Sequence, residues 1–118
     1  MTSTLTRDAA APCCVLAVRD AIDTAHAESI AVGYRALGDA TRLRILSLIA
    51  SSPDGEACVC DLTENVGLSQ GAVSHHLKIL VDADLLTRQR RGTWSFYRIR
   101  LDRFGALARL LQPATTPC

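Results

Sequence analysis

The sequence contains no apolar run long enough to cross a bilayer, so a membrane-spanning helix is excluded. Its first residues, MTSTLTRDAAAPCC, lack the basic start and apolar block of a secretory leader. Both absences point to the cytoplasm and to no membrane partner. There thiols stay reduced, so clustered cysteines suggest metal or redox chemistry. Five cysteines cannot all pair with one another, so a complete disulfide frame is excluded too. No C-x-x-C stands in a strand–helix setting, and no phosphate or oxyanion cradle is present. That argues against a small thiol enzyme such as an oxidoreductase or a metalloid reductase. There is no internal repeat and no low-complexity tract. With 118 residues, 48% of them apolar, the expectation is one domain with one modest core.

Acidic residues are scarce where the arginines cluster. Between Arg88 and Arg109 stand seven arginines (Arg88, Arg90, Arg91, Arg98, Arg100, Arg103 and Arg109) against the single acid Asp102. From Met1 to Glu64 there are five arginines and nine acids. The net charge of +1 thus hides a basic segment suited to a polyanion, the plainer alternative being a solvated arginine face.

Residues 1–14 read as a loose arm carrying Cys13 and Cys14, residues 15–112 as one domain, and residues 113–118 as a tail. Val15 to Leu37 has helical patterning with a break near Asp23–Thr24, and Gly38 ends it. Asp39 is placed to cap the segment ATRLRILSLIA, whose apolar residues wrap nearly all round, as in a central buried helix. SSPDGE is a loop by composition. A helix over about Cys58–Val66, a stop at Gly67 and a second helix capped by Ser69 and running to about Ala83 make a helix-turn-helix. In that second helix Val73, Leu77, Leu80 and Val81 share one face. The opposite face shows Gln70, Gly71, Ser74, His75 and Lys78, with Ser69 at its start and no acid among them. Such side chains suit the floor of a DNA major groove, and the helix start suits a phosphate. An ordinary solvent-exposed face is the alternative.

The stretch LLTRQRRGTWSFYRIRL alternates on either side of RRG and predicts a β-hairpin with Gly92 at its turn. Tyr97, Ile99 and Leu101 fall on one face; Trp94, Phe96, Arg98 and Arg100 fall on the other. A hairpin directly after a helix-turn-helix makes a winged helix. Its tip would set Arg90 and Arg91 against phosphates. In DRFGALARLLQ an apolar stripe of Phe104, Leu107, Ala108 and Leu111 covers the chain's own core or pairs with a second copy. Two-fold operators favour the second, a homodimer. The fold class is therefore mainly α with a small β-hairpin, a homodimeric winged helix-turn-helix binding double-stranded operator DNA.

Together YRALGDATRLRILSLI, EACVCDL, GLSQGAVSHHLKIL and DADLLTRQRRGTWSFYRI resemble the ArsR/SmtB family of metal-responsive repressors, over about residues 30–111. The resemblance implies a homodimer that represses its own operon and leaves DNA on binding a metal or metalloid. The family's ALADPTR is ALGDATR here, a swap at a helix start and not in the chemistry. One family site takes zinc through an Asp-x-His, then a His and a Glu. Here Asp102 is followed by Arg103 and Phe104, and no histidine lies beyond His76, so that site lacks its ligands.

The other family site is built on the cysteine box, Cys58 and Cys60, whose thiolates select soft ions. The arsenic-sensing branch often adds a cysteine three residues after the box, where Thr63 stands here. Residues i and i+2 also point to different sides of an α-helix, so one ion joins both only if the helix start is distorted. Related sensors recruit N-terminal cysteines, and Cys13 and Cys14 are the candidates, from either subunit. Three sulfurs suit pyramidal As(III) or Sb(III); four suit tetrahedral Cd(II), with Pb(II) in the same second rank. The vicinal pair favours the metalloids, because a lone-pair centre tolerates distorted angles. The helix start favours thiolate at Cys58. Competing readings are a buried packing pair at the box, an incidental pair at Cys13–Cys14, and a redox switch in which these thiols oxidise. His75 reads as a DNA contact, His76 as a packing residue, and Cys118 as a frayed end.

Overall fold

The computed structural model describes the backbone of residues 12–16 and 21–117, and side chains from 21 to 113. Helix α1 (Thr24–Leu37) begins where Asp23 accepts from the His26 amide at 2.8 Å and ends at Gly38. Helix α2 (Ala40–Ala50) begins with Asp39 accepting from the Arg42 amide at 3.1 Å. Each cap satisfies one of the amides that a helix start leaves without a partner. A 3-10 turn (Pro53–Gly55) leads into strand β2 (Glu56–Cys58) and helix α3 (Val59–Val66). Gly67 closes α3 at φ +78, a left-handed position that glycine adopts without penalty. Ser69 caps helix α4 (Gln70–Asp82) by accepting from the Ala72 amide at 3.1 Å.

The exit from α4 is a Schellman turn without glycine. Asp84 takes φ +63, its amide donates to Val81, and the Leu85 amide reaches back to Leu80 at 3.0 Å. Leu80 and Leu85, both fully buried, supply the apolar contact that accompanies this motif. The chain then forms strand β3 (Leu86–Arg91) and strand β4 (Trp94–Ile99). Arg91 and Trp94 are paired across the two-residue loop, and Gly92 supplies its positive φ of 66. Helix α5 (Leu101–Leu111) follows, then β5 (Pro113–Pro117), which pairs antiparallel with β1 (Pro12–Leu16).

The core gathers Ile45 and Ile49 of α2, Leu62 of α3, Val73, Leu77 and Leu80 of α4, and Leu85 and Leu86 at the hairpin's root, all fully buried. Helix α5 seals one side through Leu107, which packs against Gly33 so closely that a β-carbon there would lie 2.8 Å from its Cδ1. The Tyr34 hydroxyl donates to the Leu107 carbonyl across the same contact.

Several expectations need correction. Val15 and Leu16 lie in β1 and not in a helix, and Pro12 to Cys14, read as the end of a loose arm, are strand. The 113–118 tail is strand up to Pro117. The sheet beside the helix-turn-helix has three strands in the order β2–β4–β3, because Glu56–Cys58 adds an edge that composition assigned to a loop and a helix start. On α2, Leu43 is 52% exposed, so the helix is buried on one side only. Leu101 starts α5 at 79% exposure and does not extend the strand face of Tyr97. Of the terminal stripe only Leu107 is fully inside; Phe104 is half-buried, and Ala108 and Leu111 face solvent.

Candidate nucleic-acid interface and thiol site

The face of α4 opposite Val73, Leu77 and Leu80 is exposed at Gln70, Gly71, Ser74, His75 and Lys78, with Ser69 exposed at its start. Lys78 pairs with Asp82 one turn on, at 2.9 Å, both side chains largely in water. Such a pair contributes little and releases its lysine readily. His76 turns inward, its Nδ1 3.3 Å from Nη1 of Arg42. Between this face and the hairpin runs a groove of about 730 Å3, lined by Gln70, Ser74 and Lys78, by Arg88 and Trp94, and by Cys60. The polar face of α4, the hairpin and Cys60 thus share one surface.

The arginine-rich segment is less free than the sequence implied. Arg91 donates through both terminal nitrogens to the carboxylate of Glu56, and Arg98 donates to the same carboxylate at 2.8 Å. The Arg91 guanidinium also lies over the Phe96 ring, 4.6 Å from its centroid. These hydrogen bonds hold the Glu56 carboxyl at about 2, far below its ordinary value of 4.5. Arg100 pairs with Asp102 at 2.9 Å and Asp84 at 3.6 Å, and its hydrogen bond lowers the Asp102 pKa. Arg103 donates to the Ser29 carbonyl on α1. Arg90 is exposed and has no ion pair among the described residues. Of the two residues expected at phosphates, Arg90 therefore stands ready and Arg91 is held against β2.

Cys58 ends β2 and serves as the N-cap of α3, with extended backbone at φ −92, ψ 164. It is 7% exposed, whereas Cys60, in the first turn of the helix, is open to solvent. Their Cα atoms are 5.4 Å apart and their sulfurs are joined as a disulfide. The objection from helical spacing disappears, since Cys58 is not helical and its side chain swings to the side of Cys60. The expectation of a helix that begins at Cys58 is corrected accordingly. Oδ2 of Asp61 lies 3.4 Å from Cys58 Sγ, and the donor atoms of Cys58, Cys60 and Asp61 all fall within 4.8 Å of one another. Once reduced, this set offers two soft donors and one hard one on one side of the helix start. Asp61 was legible in hindsight: it stands three residues after Cys58, one turn away. Glu56 was not, for its partners are 35 and 42 residues distant.

The backbone of Cys13 and Cys14 lies in β1, opposite Thr116 and Thr115, and β1 packs on β5 and α5. Cys118 lies outside the described residues. No helix among the described residues is long and apolar enough to cross a membrane.

Fold, exposed polar helix face and hairpin define a winged helix-turn-helix DNA-binding domain. Residues 39–88 match the model for bacterial regulatory proteins of the arsR family. An arsenical resistance operon repressor from Bacillus subtilis is 47% identical over 64 residues, covering 54% of this chain and 59% of that protein. The crystal structure of the AntR antimony-specific transcriptional repressor is 37% identical, with TM-score 0.64 over 75% of this chain and 79% of that one. The homodimeric winged helix-turn-helix DNA-binding domain of a possible ArsR-family regulator from Mycobacterium bovis is 28% identical, with TM-score 0.63 over 77% and 84% of the two chains. The chain belongs to the ArsR family of regulatory proteins. Two of these relatives are named as repressors and the third as a possible regulator of transcription.

Proposed function

We propose that the protein is a homodimeric repressor that leaves its operator when the reduced Cys58 and Cys60 thiolates take As(III) or Sb(III). The observation that carries this reading is the meeting of the two sulfurs beside Asp61, at the end of a strand paired to the wing. The similarity to arsenical and antimony repressors supports the same inducer class. In this reading α4 enters the major groove with Ser69, Gln70, Gly71, Ser74, His75 and Lys78, and Arg90 meets a phosphate. Arg91 acts on the wing from its place beside Glu56. Cys13 and Cys14 are the further donors that complete a three-thiolate site, and a fourth thiolate would turn preference toward Cd(II) or Pb(II). The homodimeric neighbour supports the two-fold arrangement.

The disulfide favours a second reading, a thiol switch. A peroxide oxidises one thiolate to a sulfenic acid and is itself reduced to hydroxide, and the other thiolate displaces hydroxide from the sulfenic sulfur to form the S–S bond. That bond removes both thiolates from metal binding.

Operator release separates these readings. The reduced protein is bound to a fluorescent duplex from its own promoter and titrated with arsenite, with cadmium or with peroxide. Release by arsenite, lost in Cys58→Ser while that variant still binds DNA, is the expected result. A Cys58→Ser variant released at wild-type arsenite concentrations refutes the ligand assignment. Release by cadmium alone moves the assignment to a four-sulfur site, and release by peroxide alone to the thiol switch.

A further inference from the structure

Glu56 stands between the thiol pair and the wing. Strand β2 is three residues long, with Glu56 at one end and Cys58 at the other, and each faces a wing residue: Glu56 opposes Arg98 and Cys58 opposes Phe96. The contacts close a ring. Phe96 carries the Arg91 guanidinium on its face, Arg91 bonds Glu56, and Glu56 is two residues from Cys58. Arg91 is also the last residue of β3 before the turn, paired with Trp94 at the wing tip.

We infer that Glu56 is the positioning residue that holds the wing in its DNA-binding pose and passes a movement of Cys58 to it; the second half rests on the thiol reading above. The Glu56 side chain is only 14% exposed, and one carboxylate serves two arginines with aligned hydrogen bonds. That arrangement is stiffer than a solitary surface pair, which holds little in place. An ion held between Cys58 and Cys60 sets the separation of the two sulfurs by its own bonds, and Cys58, opposite Phe96 in the sheet, shifts to meet it. That shift drags Glu56, and Arg91 follows. The loop of contacts thus turns a displacement of Cys58 into a tilt of the hairpin.

Glu56→Gln tests this with opposite signs. The change removes a negative charge beside DNA and frees two arginines, so electrostatics alone would tighten operator binding and steepen its salt dependence. A positioning role instead weakens inducer-free binding, by about tenfold, and shifts the emission of Trp94, the only tryptophan. Tighter or unchanged operator binding with unchanged Trp94 emission overturns the inference. Arg98→Gln is the second variant; it leaves Arg91 on Glu56 and should give a smaller loss in the same direction. Circular dichroism confirms that both variants are folded.

Arsenite titration then tests the coupling. Arsenite–thiolate absorption in the near ultraviolet should appear at the same concentration in wild type and Glu56→Gln. The ratio of operator affinities without and with arsenite should fall about tenfold in the variant. An unchanged ratio refutes the transmission. If wild type shows neither absorption nor release while Glu56→Gln still weakens DNA binding, the inducer reading fails and the wing-holding role of Glu56 stands.

Discussion

Replacing Arg90 by alanine removes a wing arginine that has no acidic partner among the described residues, next but one to the turn at Gly92. Arg90 is exposed, and its strand partner across the hairpin is the neutral Ser95, so no fold contact depends on its charge. If it meets one phosphate, its loss lowers the salt slope of binding by about 0.9 per wing, or about 1.8 for a dimer with two wings. Between 0.15 M salt and a 1 M reference, a slope change of about 1.8 corresponds to about a 30-fold loss of affinity. Fluorescence anisotropy of operator and scrambled duplexes across a salt series measures both quantities. The loss should be the same for both duplexes, because a phosphate carries no sequence. An unchanged slope places Arg90 away from DNA, and a loss confined to the operator makes the wing a reader of bases. Either result refutes the assignment. Arg91→Ala should behave differently, lowering affinity through the pose of the wing with a smaller change in slope, since its charge is already engaged by Glu56.

Leu77→Ala should cost about 2–5 kcal/mol of folding stability, because Leu77 is fully buried where α4 meets the core, and urea unfolding checks it. A loss near zero would mean that α4 is not seated by this side chain. Glu56 also sets an acid dependence. Its folded pKa of about 2 lies below the ordinary 4.5, so its stabilisation is complete above about 4.5 and is lost as pH falls through about 2. The stability difference between wild type and Glu56→Gln should therefore shrink across that window in denaturation curves taken at stepped pH; a difference constant with pH removes Glu56 from the acid response.

The helix-turn-helix was legible because its signals act within one turn of chain. Asp39 and Ser69 reach amides three residues on, and Gly67 turns the backbone by its own conformation. The exposed polar face of α4 followed from a period of 3.6 in one segment. The wing followed from alternation around Gly92. Strand β2 was not legible. Three residues carry no periodicity, and EAC is extended only because β4 lies beside it. Reading Cys58 as helical, and so as wrongly aimed, was the consequence. The arginine segment was misjudged for a related cause. Its counter-charges, Glu56 and Asp84, come from other elements, so charge counted along the chain overstated what is free for DNA.

The amino-acid sequence by itself determined the helices, their caps, the hairpin and the presence of two sulfurs one residue apart, because each depends on neighbours a few bonds away. Only the tertiary structure decided that those sulfurs meet and that Glu56 binds the wing to the strand that carries Cys58. Those outcomes depend on which strand lies beside Glu56–Cys58. Strand pairing is a contact between distant segments whose partner no local pattern names.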